Sequence, residues 1–270
     1  MKINHDDLVG SFEQQQKLVS QFTLFQDIFF SHVMRDEAAA EYVLRLCTGI
    51  SDLKIIRSNV QEALRNLYGK SSVLDFVAKD SNGALINIEV QNSDDNEYFG
   101  PKRARYYQSM IDSTFVPKGT PYSNLPEVYI IFITPFNPLK AQGHSDVMYE
   151  KRTLLKDVDW NNDVHEIYLN AEVKDNTELS AMLQYFLTAD PNDTRFGALS
   201  NAVRKTKNEK EEVIKMCKAV EEYAVDREKI AKTIAKVEVV ENLLKRGFPL
   251  SEALEIAEID EETYNQYKAA

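Results

Sequence analysis

Between Ser72 and Gln91 the chain reads SVLDFVAKDSNGALINIEVQ, with Asp75 on one side of a turn-forming tetrad and Glu89 and Gln91 on the other. Oxygen donors of this kind are what a hard divalent cation binds, and a bound cation can activate water for hydrolysis. The chemistry requires that the two acids share one face. Apolar runs flank Asp80-Ser81-Asn82-Gly83, and Asn and Gly accept the positive φ of a tight turn, so the stretch is predicted to be a β-hairpin. Strand side chains alternate, so Ile86, Ile88 and Val90 point one way while Asn87, Glu89 and Gln91 point the other.

The loop length decides whether the acids meet. A three-residue loop, Ser81-Asn82-Gly83, sets Lys79 opposite Leu85 and Asp75 opposite Glu89, with Cβ atoms roughly 5 Å apart. Like charges at that separation repel, and a cation would remove the repulsion. A two-residue loop moves the register by one and sends the acids to opposite faces. A plain amphipathic hairpin with a wet face of Leu85, Asn87, Glu89 and Gln91 is the competing reading.

A second cluster follows a polar loop, Asn92 to Glu97. Lys102, Arg103, Arg105, Tyr106, Tyr107 and Gln108 crowd into one segment. On a helix beginning near Pro101, which suits a first turn, Arg103 and Tyr107 lie on related faces with Met110 or Ile111. Arg grips phosphate oxygens in a fork, and Tyr adds an aromatic surface with a donor. The alternative is that Arg103 pairs with Asp75 or Glu89 while the tyrosines pack in the core. Glu62 is an optional extra acid, read more simply as a solvated charge beside Arg65.

Elements able to position these groups are legible on both sides. Residues 11 to 31 carry Leu18, Phe22, Phe25 and Phe29 at helical spacing, and residues 36 to 48 continue to a stop at Gly49. A first strand is predicted over Asp52 to Val60, with a short segment from Glu62 to Tyr68 leading into the hairpin. Gly119 to Pro126 reads as turns. Val128 to Thr134, VYIIFIT, reads as a central strand buried on both faces. Another strand is predicted over Glu166 to Val173 and an amphipathic helix over Leu179 to Leu187. From about Phe196 Lys and Glu recur at helical spacing to Leu244. Gly247 stops that helix, Pro249 and Ser251 restart it, and Asp260 caps a last one. The final pair has helix-turn-helix proportions, but Glu261 and Glu262 on its second helix favour packing or oligomerisation over groove binding.

With 270 residues and 43% hydrophobic content the chain can bury a full core. Its net charge of −11 argues against a general polyanion-binding surface and leaves room for a local basic strip. Cys47 and Cys217 sit in helical, partly apolar contexts and read as reduced, non-catalytic thiols. His5, His32, His144 and His165 have no zinc-ligand spacing. The first residues lack a signal pattern, and no apolar run is long enough to span a bilayer, so a cytoplasmic protein without membrane contact is expected.

Taken together, Leu74-Asp75, Asp80-Ser-Asn-Gly83, Asn87-Ile88-Glu89-Val90-Gln91, Arg103-Ala104-Arg105-Tyr106-Tyr107, Gly119-Thr-Pro-Tyr122 and the strand from Val128 resemble the PD-(D/E)XK nuclease superfamily, and more narrowly its Rpn-type recombination-promoting nucleases, a transposase-like branch. The resemblance spans about Ile50 to Phe136, and the charged tail through Leu243-Leu244-Lys-Arg-Gly247 is similar as well. It implies a restriction-endonuclease-like α/β core, a mixed central sheet flanked by helices, over residues 1–195, and a helical extension over 196–270. It further implies Mg²⁺, with Mn²⁺ as a substitute, held by Asp75, Glu89 and the Val90 carbonyl, and DNA as the substrate of phosphodiester hydrolysis. Gln91 would stand where the superfamily usually has Lys, and Arg103 and Tyr107 would support the site. The family's opening acid block departs here, since Phe25-Gln26 stands in its place and Asp27 falls one step later. Two functions therefore stay open: a Mg²⁺-dependent DNA endonuclease of recombination or mobile elements, or a catalytically degenerate relative serving as a binding module, with homo-oligomerisation through the C-terminal helices.

Overall fold

The computed structural model describes residues 5–64, 72–94 and 99–268. Four helices precede the sheet: α1 (His5–Val9), α2 (Phe12–Ser20), α3 (Asp27–Val33) and α4 (Glu37–Thr48). The continuous helical spacing over residues 11 to 31 is broken in space. Gln26 turns its side-chain oxygen back to the Thr23 amide at 2.5 Å and the Thr23 hydroxyl at 2.8 Å, while the Leu24 amide donates to the Phe186 carbonyl at 3.1 Å. These bonds satisfy backbone and side-chain groups outside the helix and start α3 at Asp27.

The strands are β1 (Ile55–Leu64), β2 (Ser72–Asp80), β3 (Leu85–Val90), β4 (Val128–Thr134), β5 (Met148–Glu150), β6 (Leu154–Leu155), β7 (Val158–Asp159) and β8 (Val164–Asn170). Six of them form one mixed sheet in the order β1-β2-β3-β4-β8-β5, and β6 pairs with β7 apart from it. β3, β4 and β8 run parallel at the centre, and every residue of β3 and β4 is buried: the unbroken apolar run of β4 demands it, whereas β3 buries Asn87 and Glu89 along with its apolar residues. The first strand runs four residues beyond the expected Val60, to Leu64; the rest of the expected Glu62 to Tyr68 segment lies outside the described residues. The short strands β5, β6 and β7 were not expected, being too brief to show a period. β8 ends at Asn170, before the expected Val173, because the Asn170 side chain accepts the Glu172 amide and turns the chain.

Helices cover both faces. α5 (Pro101–Phe115) lies on one, where Leu74, Val77, Leu85, Val128, Ile130 and Phe132 pack against Ala104, Tyr107, Met110 and Ile111. The other carries α2, α3 and α4 together with α6 (Glu178–Thr188), α7 (Gly197–Asn208) and the first turns of α8 (Lys210–Lys245). Phe196, Leu199, Val203, Val213 and Met216 belong to the same core as Phe29 and Met182, so packing continues across the composition change at residue 196. α9 (Leu250–Ala257) and α10 (Glu261–Tyr267) fold back on the far end of α8 around Tyr264, with Asp260 capping α10 through the Thr263 amide. Cys47 and Cys217 are buried free thiols.

The hairpin loop is the three-residue form. Gly83 lies at φ +95 and its amide donates to the Asp80 carbonyl at 3.1 Å, while the Asp80 carboxylate accepts the amides of Asn82 and Ala84. The register runs Lys79↔Leu85, Ala78↔Ile86, Val77↔Asn87 and Phe76↔Ile88. Only backbone conformation holds Gly83, since a Cβ there would meet nothing within 4 Å. Gly83→Ala is therefore expected to cost about 1–2 kcal/mol in urea unfolding, the penalty of a left-handed L-residue; an unchanged midpoint would contradict that conformation.

Candidate active site at the end of β3

Continuing the hairpin register by one pair brings Asp75 level with Glu89, and side-chain bonds take over from the ladder at that point. The Asp75 amide donates to Glu89 Oε1 at 3.1 Å, and the Val90 amide donates to Asp75 Oδ2 at 3.0 Å. Each acid thus accepts a bond from the other strand. Glu89 is 1% exposed and Asp75 keeps an accessible edge. Glu89 shares the α5-side face with Phe132 and lies at the carboxyl ends of the parallel strands, where open α/β sheets bind ligands.

Arg103 supplies the countercharge. From α5 it donates to Glu89 Oε2 at 3.0 Å and to Gln91 Oε1 at 2.7 Å, and its Nε donates to the Tyr107 hydroxyl at 2.7 Å. The guanidinium carbon sits 4.9 Å from the Tyr107 ring centroid and 5.9 Å from that of Phe132. Tyr107 stacks on Phe132, and Phe132 on Tyr168. Of the two readings of Arg103, the structure shows the pairing with an acid, Glu89, while Tyr107 packs in the core. Gln91 is engaged at both ends of its amide: its oxygen takes Arg103 and its nitrogen reaches the Ser93 carbonyl at 3.2 Å, leaving a second N–H and a second lone pair. Glu62 lies across from Leu74 on β1, and Arg65 falls outside the described residues.

Burial pushes the Asp75 carboxyl up to about 7, with Asp27 adding repulsion and the Val90 amide and Arg103 pulling it back. Glu89 is held well above the ordinary carboxylate range by burial and by Asp75, again opposed by Arg103. Burial also raises the Tyr107 hydroxyl. Two acids competing for one cationic partner make a site short of positive charge.

Two residues join the site without a clear sequence signal. Asp27, out of step with the expected acid block, opens α3 beside the site: the Asn92 side chain donates to the Phe25 carbonyl, and the Gln61 side chain donates to Ser31 at 3.1 Å. These bonds tether α3 to the loop after Gln91 and to β1. Gln61 itself stands level with Asp75, between the Val60↔Phe76 and Glu62↔Leu74 pairs, in the left-handed region at φ +51. A non-glycine residue held there is strained, and its amide also favours the charged form of Asp75. The out-of-step Asp was visible in the sequence, but its proximity depends on the break at residues 21–26; nothing in the sequence marks Gln61. Among the described residues no three His, Cys, Asp or Glu side chains are grouped closely enough to hold a metal ion. No helix among them is long and apolar enough to cross a membrane.

An Asp and a Glu-x-Gln on adjacent strands of a mixed, helix-flanked sheet define a PD-(D/E)XK nuclease fold. The family described as PD-(D/E)XK nuclease family transposase matches residues 43–242, and the chain belongs to it. The matched span contains Asp75, Glu89, Gln91, Arg103 and Tyr107 and begins after Asp27. No curated protein and no solved structure matches the chain.

The electrostatics give two checks. Asp27→Asn removes a repulsive neighbour, so Asp75 is expected to titrate lower than about 7 in a ¹³C-carboxyl NMR titration; an unmoved curve would mean the two acids do not sense each other. Arg103→Met leaves Glu89 buried without its cation and is expected to cost roughly 3 kcal/mol at pH 8. Glu89 has a raised folded-state pKa, so the folded state binds the extra proton and the deficit shrinks as pH falls. A pH-independent loss would show that only packing was removed.

Proposed function

We propose that the chain is a divalent-metal-dependent DNA endonuclease that hydrolyses phosphodiester bonds in recombination or mobile-element biology. One observation carries the reading: Asp75 and Glu89 share a buried site with Arg103 as the cation on Glu89, and each carboxyl is pushed up by burial and by a neighbouring acid. The donor set fits Mg²⁺ or Mn²⁺, since carboxylate oxygens of Asp75 and Glu89 and the backbone carbonyl of Val90 are hard oxygen ligands. When bound, the ion would lower the pKa of a water and polarise the scissile phosphate.

The chain's own residues supply the rest. Arg103 orients Glu89 and Gln91 together through separate nitrogens, and Tyr107 fixes Arg103 from below. Gln91 cannot take a proton, but its amide can orient a water or a phosphate oxygen. Exposed Lys102 and Arg105 on α5 offer a local basic strip to a DNA backbone despite the acidic whole.

Supercoiled plasmid should be nicked with Mg²⁺ or Mn²⁺ and spared with EDTA. Asp75→Ala and Glu89→Ala are expected to abolish nicking with the circular dichroism spectrum kept, and to lose the thermal stabilisation that Mn²⁺ gives the parent. Full cleavage in both variants would sink the mechanism.

A second reading rests on Gln91, whose amide is bonded to Arg103 and Ser93 with no base in the lysine position. A degenerate relative acting as a binding module would show Mn²⁺-independent stability and no nicking by the parent protein.

A further inference from the structure

α8 is 36 residues long, about 54 Å at 1.5 Å per residue, and only its ends are packed. Val213, Met216, Cys217 and Val220 enter the nuclease core, while Val237 and Val240 sit beneath α9 and α10. Among the described residues from 221 to 236 none is buried, and Val225, Ile230 and Ile234 are 46%, 38% and 42% exposed. A helical span of that length without tertiary packing is marginal in water.

The bare span is patterned. Val213, Met216, Val220 and Tyr223, then Ile230, Ile234 and Val237, follow the three-and-four spacing of a coiled-coil seam on either side of Arg227, which takes the one seam position between Tyr223 and Ile230. The span is also symmetric about the point between Glu228 and Lys229. Reversing the helix there sets Val220 against Val237, Tyr223 against Ile234, Glu221 against Lys236 and, next to the centre, Ile230 against Arg227. The charge follows the same reversal: Glu221, Glu222, Asp226 and Glu228 outnumber Arg227 in the first half, and Lys229, Lys232 and Lys236 fill the second. A parallel copy would oppose acid to acid, whereas an antiparallel copy opposes acid to base. The exposed pairs Glu228–Lys232 at 2.6 Å and Asp226–Lys229 at 3.7 Å lie within one helix in open solvent and are too weak to hold the lysines from a partner. Lys236 meets Glu258 at the exposed edge of the cap.

We infer that two copies of this chain pair antiparallel through the middle of α8, burying the stripe from Val220 to Val237 in an isologous two-fold interface centred between Glu228 and Lys229. The pairing extends seams that each chain has already closed at both ends, and it is independent of the nuclease reading. It sets the helical cap of one copy beside the nuclease core of the other, so two sites are carried at opposite ends of one helical strut.

Sedimentation equilibrium of the full chain reads the assembly directly. The expected mass is twice the 30.9 kDa chain, falling to one chain for Ile230→Lys, which faces Arg227 of the other copy, with Ile234→Glu, while helicity and the unfolding of the nuclease core persist. Direction is read by charge reversal: Glu221→Lys weakens the dimer, and adding Lys236→Glu restores it. A monomer at every concentration, or a dimer indifferent to the Ile230/Ile234 double variant, would overturn the proposal. A dimer weakened further by the second reversal would overturn the antiparallel register.

Discussion

A buried carboxylate answered by one guanidinium governs the end of the sheet where β2, β3 and α5 meet. Glu89 is almost fully withdrawn from water, and taking a charge there costs several kcal/mol unless it is paired. Arg103 reaches it from α5, Tyr107 and Phe132 hold Arg103, and the packing of α5 on the sheet positions all three. Asp75 then adds a second negative charge that Arg103 only partly offsets. The pair of acids is consequently held at a cost to stability, and α5 serves both as a cover for the apolar sheet face and as the carrier of the countercharge.

The same economy appears where backbone and site meet. The hairpin ladder ends at Phe76↔Ile88, and from there the amides of Asp75 and Val90 are given to carboxylates of the facing strand. Opposite Asp75 the edge strand β1 carries Gln61 in a left-handed conformation. The strands stop bonding only to each other at the place where their side chains have other work. Helix α3 is drawn to that place by Asn92 and Gln61, bringing Asp27 within electrostatic reach.

Away from the site, α8 joins two packed bodies. Its first turns complete the nuclease core and its last turns complete the cap around Tyr264, whose hydroxyl is bound by Glu241. The middle answers to neither body. A composition rich in Lys and Glu reads as a solvated helix, and that reading holds for most of its circumference; the apolar stripe within it is diluted by small and charged neighbours and shows only once the buried ends define which face continues.

The sequence by itself determined whatever depends on local backbone chemistry and strict period. A tight turn follows from Asn82-Gly83, β4 from an unbroken apolar run, the start of α5 from Pro101, and the α10 cap from Asp260. The sequence left the turn at two or three residues; the structure has three, and that loop brings Asp75 level with Glu89, because side-chain alternation has a period of two and carries one end of a hairpin to the other. Membership of the nuclease family was legible in the same blocks. Only the tertiary structure decided which partner Arg103 takes, that Gln91 is already engaged, and that Asp27 and Gln61 stand beside Asp75. Those outcomes are set by contacts between elements distant in sequence. The break after Gln21 depends on Leu24 bonding to α6 across the core, and the strain at Gln61 on the sheet around it; no local propensity records either.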